Sequence, residues 1–167
     1  EGSDKWDSDS DVSSEPASDG STLLTPKATV SGGTASVSLK ASDLTDVIEN
    51  TKDNGSPVIT IAPEISGTAS RVTVEIPKTS VSSIGSDTGA DLKVETDVGI
   101  ITITNSALAS IASQASGSTV TMSLENVSTS SLTEDQQKAV GENSVYDISI
   151  MSGDSYISSF DDENITI

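Results

Sequence analysis

Apolar residues fall along this chain at two spacings. In Ala35-Ser-Val37-Ser-Leu39, Val72-Thr-Val74-Glu-Ile76, Val120-Thr-Met122-Ser-Leu124 and Tyr146-Asp-Ile148-Ser-Ile150 every second residue is apolar. That is the period of a β-strand with one buried face. Leu44, Val47 and Ile48 recur instead at intervals of three and four, as do Leu108, Ile111, Ala112 and Ala115. This spacing predicts two short helices, each with one apolar stripe. The punctuation between these runs fits them. Gly32-Gly33 signals a hairpin between strands at 28–30 and 35–39, and Asp97-Val98-Gly99 turns the chain between 92–94 and 100–103. Ser42 and Ser106 are read as the N-caps of the two helices, and Thr79 as the cap of a single turn carrying Val81 and Ile84. Further strands are predicted at 58–61, 156–160 and 164–167, with a Gly153-Asp154 turn before 156. Thr133-Glu-Asp-Gln136 reads as a capping box opening a helix to Val140.

The pattern repeats itself. Val30, Val37, Leu39, Ser42, Leu44, Val47 and Ile48 are matched 64 positions later by Val94, Ile101, Ile103, Ser106, Leu108, Ile111 and Ala112. At other offsets 71–76 matches 145–150, and 81–84 matches 157–160. Such self-similarity marks two copies of one supersecondary unit that bury their apolar faces together. The expected fold is therefore mainly β: a β-sandwich-like or compact β-rich α+β domain with short helices, built from two duplicated halves (28–87 and 92–161) in a pseudo-twofold relation. Strand runs joined by turns favour this over a doubly wound sheet, since the helices are too short and too far apart for regular crossovers.

Composition then sets boundaries. Residues 1–26 carry seven acids, one lysine and many serines. They show no apolar periodicity, so they are expected to be a disordered acidic linker ahead of one β-rich domain over 27–167. Aromatic residues make up only 2% of the chain, so the core has to be built from Val, Ile, Leu and Ala. Ser and Thr together number 52 of 167, which suits exposed strand faces and turns. Glu1 in place of Met, and an end inside the apolar run Ile165-Thr-Ile167, lead us to expect part of a longer polypeptide from which an export signal was removed.

Charge narrows the partners. The net charge is −18, with eight basic residues against 26 acidic ones, and Arg71 is the only arginine. Phosphate backbones and anionic bilayers need clustered Lys and Arg, so nucleic acid and membrane are not expected partners. No run of about 18 apolar residues is present that would span a bilayer.

Residue types limit the chemistry further. Cys and His are absent, which removes disulfides, Ser-His and Cys-His nucleophile pairs, and zinc sites built on them. Lys40, Lys78, Lys93 and Lys138 leave Ser-Lys catalysis open by residue type, but no nucleophile-elbow or Ser-x-x-Lys motif with its supporting residues occurs. Lys40 and Ser42 are explained by a strand end and a helix start. Paired carboxylates for glycoside hydrolysis are available, yet sugar clefts stack rings on aromatics and the domain offers only Tyr146, Tyr156 and Phe160. Tyr146 alternates with Ile148 and Ile150 and reads as core.

Two acidic stretches have the look of calcium loops. Asp7-Ser-Asp9-Ser-Asp11 lacks the Gly and Glu that an EF-hand loop needs at its sixth and twelfth positions, where Val12 and Ser18 stand. Asp161-Asp162-Glu163-Asn164 could staple the last strand, but a solvated turn is the simpler reading. A Lys–Asn or Lys–Asp isopeptide bond at Lys40 or Lys93 would need a buried Lys beside an acid, and no signature for one can be read. The expectation is thus no catalytic residue, no cofactor and no metal.

The segment from Ala107 to Leu124, with Val145-Tyr-Asp-Ile-Ser-Ile150 and Ile157-Ser-Ser-Phe160, resembles Ser/Thr/Val-rich extracellular modules found in S-layer-homology-associated surface proteins of Gram-positive anaerobic bacteria. The resemblance covers nearly all of 28–167 and is one of texture; no S-layer-homology repeat occurs in this chain. It implies an extracellular, cell-surface or secreted location and a modular parent; the duplicated β-rich unit, the acidic linker and the missing catalytic residue types add the expectation of a non-catalytic spacer or adhesive scaffold. The partners would be neighbouring modules of the same polypeptide and cell-wall or host glycans or proteins. The alternative is a carbohydrate-binding module attached to a secreted or surface enzyme. No binding or catalytic residue is carried over.

Overall fold

The fold follows from where the alternating strands can bury their apolar faces. A computed structural model describes residues 12–17, 20–51, 57–128, 130, 132–141, 145–157 and 165–166. It is mainly β, with two mixed sheets and four short helices. The first sheet is built from β1 (Ser13–Pro16), β2 (Thr22–Thr25), β5 (Val58–Ile61), β7 (Asp91–Glu95), β8 (Ile100–Ile103) and β12 (Ile165–Thr166), neighbours in that order. The second runs β11 (Ser155–Tyr156), β10 (Val145–Ser152), β9 (Thr119–Val127), β6 (Arg71–Pro77), β4 (Thr34–Ser38) and β3 (Thr29–Ser31). The helices are α1 (Ala41–Thr51), α2 (Lys78–Asp87), α3 (Asn105–Gln114) and α4 (Glu134–Val140).

The chain alternates between the sheets. Helix α1 leads from β4 in the second sheet to β5 in the first, α2 from β6 to β7, and α3 from β8 back to β9. Parallel neighbours need a long crossover. Here β4 and β6 are parallel with α1 and β5 between them in sequence, and β5 and β7 are parallel with β6 and α2 between them. Each sheet thus supplies part of the other's crossover, so helices of ten or eleven residues suffice.

Both sheets and three helices feed one apolar cluster. From the first sheet come Leu24, Ile59, Ile61, Leu92, Val94, Ile101 and Ile103. The second supplies Ala35, Val37, Val72, Val74, Ile76, Val120, Met122, Leu124 and Ile150. Leu44, Val47, Val81, Ile84, Leu108 and Ile111 come from the helices. Each fully buried Leu or Ile contributes about 1.5–3 kcal/mol relative to exposure, so the aliphatic core needs no aromatic centre.

Three expectations change. First, the linker expected over 1–26 does not keep its boundary. Strand β2 pairs in parallel with β5, Thr22 opposite Ile59 and Leu24 opposite Ile61, and Leu24 is fully buried. Thr22-Leu-Leu-Thr25 is too short to show a period, so its sheet position is set by β5 rather than by local pattern. Residues 1–11 lie outside the described residues.

Second, the helix starts move. α1 begins ahead of Ser42, and the Asp43 carboxylate accepts the Lys40 backbone N–H at 2.7 Å. In α3 the cap is Thr104, whose hydroxyl accepts from the Ala107 N–H, and not Ser106. α2 follows Pro77 with no side-chain cap and runs ten residues, not one turn from Thr79. No more than two residues separate each of these helices from the strand before it, so each starts ahead of the Ser or Thr read as its cap. Thr133 and Gln136 do form the reciprocal capping box of α4.

Third, the two proposed copies share only part of their path. β3–β4–α1–β5 and β7–β8–α3–β9 are each an antiparallel hairpin, a helix and a strand in the opposite sheet. The pairing shifts by two residues between hairpins, because the first turn is Gly32-Gly33, both at positive φ, and the second spans 96–99. Beyond these the paths differ: β6 returns beside β4, whereas β10 stays beside β9.

Candidate functional site

Because each strand of the second sheet turns its apolar residues to the core, the intervening residues share the opposite face. The register lines them up into rows across the strands. Thr29, Ser36, Thr73, Ser123 and Ser149 are successive partners from β3 to β10. Neighbouring strands lie about 4.8 Å apart, so these five hydroxyls form a line about 19 Å long. Within it the Thr73 hydroxyl donates to Ser36 at 3.1 Å.

Two further rows flank this line. On one side Ser31, Thr34, Arg71, Glu125 and Asp147 are cross-strand partners. Arg71 Nε donates to Glu125 Oε2 at 3.1 Å. That hydrogen bond and the charge of Glu125 raise the Arg71 pKa above its ordinary value, with Asp147 and Tyr156 adding to the effect. On the other side lie Ser38, Glu75, Thr121, Met151 and Tyr156. Glu75 accepts from Ser38 at 2.9 Å and from Thr119 at 3.3 Å. Tyr156 is 70% exposed.

Tyr146 belongs to the other face and corrects an expectation. It alternates with Ile148 and Ile150 as read, but lies where the inner face runs out and is 38% exposed. Its ring lies against the 96–99 turn, where a Cβ built on Gly99 would come within 3.7 Å of it. The two tyrosines therefore stand on opposite faces and make no pair. Phe160 lies outside the described residues.

The structure gives the lysines structural company. Lys40 precedes α1, Lys78 Nζ donates to the Ala115 carbonyl at 2.7 Å, and Lys93 pairs with Glu95 at 3.2 Å. Lys138 lies in the last turn of α4. Lys93 does meet an acid, but both stand on a solvent-facing strand face, so Lys93 is not the buried lysine that an isopeptide bond requires. Among the described residues no three acidic side chains converge as a metal site, and no helix is long and apolar enough to cross a membrane. Asp7, Asp9 and Asp11, and the stretch 161–164, lie outside the described residues. A groove of about 230 Å³ between α1 and α2 is lined by Thr45, Ile48, Glu49, Thr79, Ser83 and Asp87. It brings hydroxyls and carboxylates together.

Sequence reading missed the hydroxyl rows. Each strand's Ser and Thr positions were visible, but only the inter-strand register makes them collinear. Comparison with protein families, with curated proteins and with solved structures finds no match.

Proposed function

We propose that this chain is a non-catalytic, extracellular module of a bacterial cell-surface protein, acting as a spacer or adhesive scaffold. The observation that carries the reading is the outer face of the second sheet, with its central line of hydroxyls between two rows that are polar apart from Met151. Hydroxyls both donate and accept, and a pre-aligned array on a rigid sheet loses little freedom on contact. Its partners are neighbouring modules of the same polypeptide and cell-wall or host glycans or proteins. Mass spectrometry of cell fractions from the source organism tests the location: the full-length protein belongs in the cell-wall or secreted fraction, and finding it only in the cytosol overturns the proposal.

A second reading, a carbohydrate-binding module attached to a secreted or surface enzyme, is favoured by one observation. Tyr156 stands exposed at the end of the row that borders the hydroxyl line, where its ring could stack on a sugar. A glycan array separates the two readings: binding that is lost in Tyr156→Ala supports the second, and a blank array removes it.

The proposal also takes the domain as β-sandwich-like or a compact β-rich α+β domain, built from two duplicated halves in a pseudo-twofold relation. Its support is the shared hairpin–helix–crossover order, and the matched burial of Leu44 and Val47 with Leu108 and Ile111. An experimental structure in which β3–β5 does not superpose on β7–β9 would defeat it.

A further inference from the structure

We draw no further inference here: the strongest candidate, the line of five hydroxyls across the outer face of the second sheet, belongs to the surface already described, and nothing in the structure shows what covers it.

Discussion

Gly85 sits in the last turn of α2, where an isolated helix would still gain from alanine. Replacing an interior helical glycine by alanine is worth about 1 kcal/mol in backbone propensity. The structure opposes this gain. A Cβ on Gly85 would lie 2.8 Å from the Ala109 nitrogen, 3.0 Å from its Cα and 3.2 Å from its Cβ, all on α3. Two of the three atoms are helix backbone and have no rotamer to escape into, so α2 and α3 would have to separate by several tenths of an ångström. Overpacking of this kind costs about 1–3 kcal/mol.

The steric term exceeds the propensity term, and Gly85→Ala should destabilise by about 1 kcal/mol. Urea unfolding followed by circular dichroism measures it as a lower midpoint at unchanged slope. Two companions sharpen the test. Ser82→Ala, at an exposed position of the same helix, should be neutral or slightly stabilising. Ala109→Gly should not rescue Gly85→Ala, because it removes only the 3.2 Å contact, leaves the two backbone contacts in place and itself costs α3 about 1 kcal/mol in propensity. A Gly85→Ala midpoint at or above that of the parent protein would refute the close crossing of α2 and α3.

Leu44→Ala and Leu108→Ala should each cost about 2–5 kcal/mol, since both leucines are fully buried on matched helices; thermal unfolding of the two variants should give similar losses. Ser152 is buried, with its hydroxyl accepting from the Gly117 N–H at 2.9 Å and donating to the Thr119 carbonyl at 2.7 Å. Ser152→Ala strands both backbone groups and should cost about 1–3 kcal/mol by chemical denaturation. Deleting residues 1–26 should lower the melting temperature, because it removes β2 and the buried Leu24, as measured by differential scanning calorimetry. An unchanged melting temperature would return those residues to a linker.

Local chemistry was enough for most elements. Alternation in Val72-Thr-Val74-Glu-Ile76 specifies a strand with one buried face whatever it pairs with. Gly32-Gly33 specifies a tight hairpin because both residues take positive φ, 58° and 80°, at no steric cost. Thr133 and Gln136 specify a helix start because their hydrogen bonds close within four residues. Residue types likewise settled which catalytic chemistries are absent, since a missing His or Cys is missing in any fold.

What tertiary structure decided is everything that depends on a partner distant in sequence. Thr22-Leu-Leu-Thr25 has no period of its own, and becomes a strand because β5 offers it a parallel edge and a place for Leu24. Tyr146 follows the core alternation, yet it stays part-exposed, with its ring against the 96–99 turn. Ser36, Thr73, Ser123 and Ser149 each had their outward direction fixed by the alternation of their own strand. Their alignment into one line required the register of four strands, and register is set by pairing between residues as far apart in sequence as Arg71 and Glu125.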